Sequence, residues 1–411
     1  MQCINMLKQN FIKIFIIVIF LALFESIIYT FLVNDSSYFT IGQSNIDPGG
    51  DFYLSLLFSS TLMPYQYDIF PYPPLSVVFC YLLNFLSHDD LPQMIEGMSW
   101  TDAVHKVYSN VFSFKNANFI LSTIILILLS FILSNYIIKN KKISYPLSNV
   151  LSFCLIANAG LLASLVRGNL LTVALLFTTM FVLYNNSGNK IIREFSFVSL
   201  AIAFNIKPYV AVYGFILLAE KRYKDAIKTC IYALLLFFIP FMFLKGSYIE
   251  NIKIFFNLLF NFGGRSSSMI GLKSFINLLL RIIGKIMKIE LSTNRVGSIL
   301  SVLFSIVLLI FSFKNIKKWE RVMLLTLIMM MASTNFGYIL AFMLIPATMF
   351  LCEENEVNSY NIVYLFSFVF LMAPIRYKTT RIIYYENFLL ICLCLILVFQ
   401  ICFNKKIWSK K

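Results

Sequence analysis

Charge is what this sequence has least of. Only 13% of its 411 residues are Asp, Glu, Lys or Arg, about half the share of an ordinary soluble domain. Hydrophobic residues make up 59% and the mean hydropathy is +0.81, which excludes a water-soluble globular protein. Histidine occurs twice. With no histidine cluster and no Asp-x-Asp pair there is no divalent-metal motif, and neither a metal nor another cofactor is expected. The eight cysteines lie almost all inside apolar runs without metal-ligand spacing and read as small core residues, not as a disulfide framework. A Gly-x-x-x-x-Gly-Lys-Ser/Thr loop is missing, which argues against an ATP-driven pump. Acidic residues are scarce too: 34 Lys and Arg less 19 Asp and Glu leave +15. In so apolar a chain that excess reads as cationic loops on one side of a membrane, not as nucleic-acid binding.

Long apolar runs are what the chain has in abundance. Crossing a bilayer takes about 20 residues through roughly 30 Å of hydrocarbon. Candidate runs are 14–33, 74–87, 117–138, 146–166, 170–185, 194–206, 208–219, 227–244, 297–313, 322–334, 337–352, 359–374 and 384–403. Some are short and pair as broken or re-entrant helices, giving about ten to twelve spans and no soluble domain. The expected fold is an all-α, polytopic integral membrane protein, one transmembrane domain over 1–411. The first run ends at Asn34 without an Ala-x-Ala site and fits an uncleaved anchor.

Lys and Arg near span ends stay on the side of insertion. Lys8 and Lys13, Lys139 to Lys142, Lys190 with Arg193, Lys221 to Lys224, Lys314 to Arg321 and the Lys405 to Lys411 tail mark the cytoplasm, so both termini are expected inside. The other side then receives a first loop over 34–73, turns near Arg167-Gly168-Asn169 and Asn205-Ile206-Lys207-Pro208, a later loop over 245–296, and Ser333-Thr334-Asn335. Parity requires either a further crossing within 88–115 or a re-entrant helix nearby. The stretch 273–290, with Lys273, Arg281, Lys285 and Lys288 among Ile and Leu, reads as an interfacial helix.

The first outward loop carries the unusual chemistry. Pro48-Gly49-Gly50 gives the backbone freedom to turn just before Asp51-Phe52-Tyr53. A carboxylate in such aromatic surroundings can take a proton from a hydroxyl nucleophile; equally, an Asp after a Pro-Gly-Gly turn caps a helix. Tyr65, Tyr67 and Tyr72 are able to stack on a sugar ring, although tyrosine is enriched at membrane interfaces in any case. Pro73-Pro74-Leu75 marks a helix entering the membrane. Lys207, Arg265 and Lys273 are cations on the disfavoured side, as are Arg167 and Arg376, Lys378 and Arg381. An unpaired ammonium between two apolar runs, as at Lys207, is costly, and Glu25 within the first run is a candidate partner for it.

Taken together, Gly-Gly-Asp-Phe-Tyr at 49–53 and Tyr-Pro-Pro-Leu at 72–75 resemble the multispanning GT-C glycosyltransferases, in the branch related to polyprenol-phosphate-mannose-dependent mannosyltransferases. Arg167-Gly168-Asn169-Leu170-Leu171 stands where that branch has a Gly-Gln-x-Asn turn, lacking the Gln. Ala201 to Pro208 is similar to its Gly-x-Ala-x-x-x-Lys-Pro segment, and Gly264 to Leu272 to its Asn-x-Ser-x-x-Gly stretch. Ser333-Thr334-Asn335 departs from the Pro and His common there. The Phe, Ile, Lys and Asn bias is similar to serotype-converting O-antigen glucosyltransferases.

The resemblance implies a GT-C fold with interfacial helices in the outward first loop. It implies transfer of a hexose, glucose first, from a polyprenyl (undecaprenyl) phosphate donor to a hydroxyl of a lipid-linked glycan such as O-antigen. The setting would be the periplasmic face of a bacterial inner membrane, with a companion flippase and a polyprenyl-phosphate sugar synthase as partners. Asp51 would be the general base, Lys207, Arg265, Lys273 and Arg167 would hold the donor phosphate, and Tyr53, Tyr72 and Asn169 would contact sugar or acceptor. Two rivals differ in activity. An O-antigen polymerase is expected to carry its largest outward loop late in the chain, whereas here the loop richest in unusual chemistry is the first; a flippase or transporter is expected to show repeated halves, and the sequence shows no internal repeat.

Overall fold

The computed structural model describes residues 12–25, 50–66, 72–84, 112–261, 270–287, 293–332, 337–354, 358–373 and 382–403. Among them the chain is helical without strands. The helices are α1 (12–25), α2 (Gly50–Ser60), α3 (Pro74–Asn84), α4 (Phe112–Lys141), α5 (Tyr145–Ile156) and α6 (Ala159–Arg167). Then follow α7 (Leu171–Tyr184), α8 (Lys190–Phe204), α9 (Phe215–Ala219), α10 (Tyr223–Phe238), α11 (Tyr248–Asn261) and α12 (Leu272–Met287). The last are α13 (Thr293–Ser312), α14 (Lys318–Met331), α15 (Leu344–Glu353), α16 (Ser359–Met372) and α17 (Ile382–Phe403). Tight 3-10 turns over Pro208–Gly214 and Gly337–Met343 lead into α9 and α15.

These limits follow the apolar runs and the polar residues that punctuate them. The run 146–166 becomes two helices, α5 and α6, bent by 66° where Ala157 closes one and Asn158 caps the other. Asn158 Oδ1 accepts from the Gly160 and Leu161 amides, while its Nδ2 donates to the Leu340 carbonyl at 3.2 Å. Gly160 faces that same backbone: a Cβ there would stand 2.5 Å from the Ala341 nitrogen, so only glycine permits the crossing.

Three described helices are long and apolar enough to cross a membrane, or four if the bent pair forms one span; six shorter apolar helices accompany them. Their outer faces are hydrophobic. Phe119, Ile127 and Phe131 on α4, Ile227 and Leu234 on α10, and Ile299 and Ile310 on α13 are all exposed. Apolar faces on this scale are lipid-facing in a membrane protein. Helix α14 is the converse: its residues from Trp319 to Met331 are all buried, which makes it the central post of the bundle.

Helix α12 covers the described part of the stretch 273–290, up to Met287. Two of its polar residues, Ser274 and Asn277, are buried, Asn277 beside Gly297 of α13, whereas Ile282, Ile283, Ile286 and Met287 are exposed. Water would favour the reverse; an apolar surround favours this arrangement.

Two polar layers bracket the apolar core. One lies where α8 begins and α7 ends: Arg222 donates to Asn185 and Asp225, and Lys228 pairs with Glu194 at 2.7 Å. Glu354, closing α15, belongs to the same end of the molecule. It accepts from Trp319 Nε1 at 2.7 Å, pairs with Lys317 at 2.5 Å and accepts from Asn361. Several cations expected simply to mark the cytoplasmic side are therefore structural partners of carboxylates. The second layer lies at the opposite ends of α7 and α8, about 20 Å away for a helix of this length.

Glu25 is exposed and forms no ion pair with Lys207, contrary to the expected pairing. The proposed extra crossing within 88–115 falls mostly outside the described residues, as do Arg265, the turn 333–335 and the cations Arg376, Lys378 and Arg381.

Candidate active site

The second polar layer is assembled at a joint between α6 and α7. Gly168 ends α6 in the left-handed conformation, φ 65°, with its amide bonded to Leu165 O and the Asn169 amide bonded to Ser164 O. This paired closure is a Schellman motif, and it requires a residue tolerant of positive φ. Asn169 then starts the next helix: its Oδ1 accepts from the Leu171 amide at 2.9 Å. The three residues Arg167-Gly168-Asn169 thus reverse the chain and leave two polar side chains on the same side of the turn.

Both meet Asp51. Arg167 donates from Nε to Asp51 Oδ2 at 2.9 Å and from Nη2 to Oδ1 at 2.6 Å, a two-pronged pair. Asn169 Nδ2 donates to Oδ2 at 2.6 Å. Asp51 itself lies in the first turn of α2, where the helix dipole favours an anion. Gly168 is what lets α2 come so near, because a Cβ on it would be 2.4 Å from the Phe52 Cβ and 2.9 Å from Asn118 Oδ1. Asp51 stands inside the first turn of α2, and its carboxylate is turned to Arg167 and Asn169, with no described bond to a backbone amide of the helix it was expected to cap. Among the described contacts Oδ1 accepts one hydrogen bond, which leaves it a lone pair for a further donor.

Lys207 completes the layer. Pro208 restricts it to extended backbone, φ −136° and ψ 99°, at the start of the 3-10 turn. Its ammonium donates to the Tyr72 hydroxyl at 3.2 Å and lies 4.3 Å from the centre of that ring. Burial pushes Lys207 down to about 8, with the nearby Asp51 carboxylate opposing the shift. Tyr72 is set by a relay of aromatic packing. Its carbonyl accepts from Tyr65 at 3.0 Å, and Tyr65 is anchored among Phe241 and Phe255. The start of α3 is tied to the Lys207 turn by Ser76, whose hydroxyl donates to Asn205 O at 3.3 Å.

Five of the eight residues named from the sequence converge here: Asp51, Arg167 and Asn169 form one hydrogen-bonded group with Gly168 at its hinge, and Tyr72 and Lys207 form a second, near enough for the Asp51 charge to act on Lys207. Arg167 is found on the carboxylate instead of standing apart as a phosphate ligand. Tyr53 is packed into the core, 1% exposed, and Lys273 lies on α12 against Gly297, without a described contact to Asp51. Arg265 falls outside the described residues.

Two residues not anticipated join the cluster. Tyr338 shares a hydrogen bond with the Asn169 side chain and feels the charges of Asp51 and Arg167, while Tyr209 interacts with Tyr338 and Tyr72. Each follows the Gly or Pro that starts a 3-10 turn, and that position was the sole sequence signal available. Among the described residues no three His, Cys, Asp or Glu side chains group as metal ligands.

The hinge makes a specific demand. Gly168→Ala is expected to lower the melting temperature in detergent by an amount equivalent to about 2 kcal/mol or more, from backbone strain plus the clash with Phe52. Gly188→Ala is the control, since nothing lies within 4 Å of its added Cβ. Equal melting temperatures for the two variants would contradict the role given to Gly168. Comparison with known proteins leaves the chain without an assigned family: no family model matches it, and no curated protein is significantly similar to it.

Proposed function

We propose that this chain is a GT-C type membrane glycosyltransferase of about ten to twelve spans in a bacterial inner membrane, with both termini cytoplasmic and Asp51 facing the periplasm. It moves a hexose, glucose first, from a polyprenyl (undecaprenyl) phosphate sugar to a hydroxyl of a lipid-linked glycan such as O-antigen. The observation that carries this reading is the convergence of one held carboxylate with two cations, Arg167 and Lys207, from three distant parts of the chain.

The chemistry is a single displacement. The acceptor hydroxyl gives its proton to Asp51 Oδ1 as its oxygen bonds to the anomeric carbon. The bond from that carbon to the phosphate oxygen breaks, and the electron pair leaves with the polyprenyl phosphate. A general base and a cation at the leaving group supply what the step needs without a nucleotide. The product has inverted configuration. Tyr72, Tyr209 and Tyr338 provide aromatic surface for the sugar.

Asp51→Asn is expected to reduce transfer in membranes or proteoliposomes by about a hundredfold or more, while the protein still inserts and folds. Normal transfer by a folded Asp51→Asn protein would refute the base. In cells the gene is expected to alter O-antigen composition; loss of the chain-length ladder would point to polymerisation instead.

The pH dependence follows from Lys207. The charged form binds phosphate, and the lowered value means that this charge is lost as pH rises through about 8. kcat/KM is therefore expected to fall above pH about 8, and Lys207→Arg to remove that alkaline limb. An unchanged limb in a folded Lys207→Arg protein would exclude Lys207 as the titrating group.

A further inference from the structure

Arg167 and Asn169 hold Asp51 in different ways. Asn169 is buried, 2% exposed, and its side chain is fixed at both ends, by the Leu171 amide and by Asp51 Oδ2. Arg167 is attached through a long, flexible side chain that remains 22% exposed. Its backbone is clamped by the Gly168 closure, so the guanidinium can move while the turn does not. If Arg167 left, Asn169 would keep the carboxylate in position. This redundancy has a use only if Arg167 has somewhere else to go.

Charge supplies the destination. Asp51, Arg167 and Lys207 sum to +1. A polyprenyl phosphate sugar is a phosphodiester with one negative charge, which brings the sum over these groups to zero. During transfer Asp51 gains the acceptor proton and becomes neutral, while the leaving phosphate monoester gains a second negative charge. The total remains zero, but the anion that deserves a two-pronged partner has moved from the carboxylate to the phosphate.

Resting on the glycosyl-transfer reading above, we propose that Arg167 is a positioning residue with two partners, passing its paired hydrogen bonds from Asp51 to the donor phosphate. Donor binding thereby uncovers the base, and Asp51 becomes competent only when the lipid phosphate is in place. Asn169 retains the geometry of the carboxylate through the exchange. Water that reaches the site before the donor finds a carboxylate already engaged.

The test is a double-mutant cycle on binding, independent of turnover. The probe is undecaprenyl phosphate, titrated onto the full chain in lipid nanodiscs. Four proteins are compared: the natural sequence, Asp51→Asn, Arg167→Gln, and the pair together. Removing the competing carboxylate frees Arg167, so Asp51→Asn is expected to tighten binding by about tenfold. In the Arg167→Gln background the same change is expected to tighten it by about twofold or less. Equal tightening in both backgrounds would mean simple repulsion between Asp51 and phosphate and would overturn the exchange, as would no tightening at all. If Arg167→Gln does not fold, Arg167→Lys replaces it, because lysine cannot give the two-pronged contact. Absence of binding to every folded variant would instead overturn the transfer reading itself, and the exchange with it.

Discussion

The approach of α2 to the α6–α7 joint is the constraint on which the candidate site depends. It exists because Gly168 has no side chain and adopts a positive φ, which brings the Phe52 turn into contact and sets Asp51 opposite Arg167 and Asn169. A larger residue would hold the first turn of α2 away, and the carboxylate would face neither partner. The electrostatics follow from this steric fact. Asp51 is 15% exposed and Arg167 22%, a partial burial in which an ion pair gains more than at an open surface yet remains exchangeable.

The two polar layers give the bundle its organisation. In the interior, α14 from Val322 to Met331 is apolar but for Thr326, whose hydroxyl pairs with Tyr213, whereas most of the polar contacts lie at the helix ends. At one end carboxylates and cations are interlocked: Glu354 alone receives Lys317, Trp319 and Asn361, and Arg222 bridges Asn185 and Asp225. That end is saturated with partners and behaves as a staple. At the other end Arg167 pairs with the Asp51 carboxylate, Lys207 is held on Tyr72 within reach of that charge, and Tyr209 and Tyr338 stand nearby. Among the described residues, the proposed anion site is the end where cations outnumber the carboxylate they surround.

Much of the fold is legible in the sequence because apolar runs and polar punctuation are local properties. The runs 170–185 and 359–374 become helices Leu171–Tyr184 and Ser359–Met372. Arg167, Lys207 and the Asp that follows the Gly-Gly turn, each legible as unusual in the sequence, lie at the same end of the bundle. What could not be read was pairing at a distance. Arg167 and Asp51 are 116 residues apart, and nothing in either motif says that one serves the other. Tyr209 and Tyr338 were hidden for a related reason, since a tyrosine that opens an apolar helix looks the same whether it faces lipid or a site. The inside cations were read as an orientation label, and their carboxylate partners became visible only with the helix ends in register.

The central claim is that the Asp51 layer receives a lipid-linked phosphate. Its most direct test is a cryo-electron microscopy map of the full chain in nanodiscs saturated with undecaprenyl phosphate. Phosphate density is expected within hydrogen-bond distance of both the Lys207 ammonium and the Arg167 guanidinium, with Asn169 still on Asp51. A phosphate bound elsewhere on the molecule, with the Asp51–Arg167 pair intact, would contradict it.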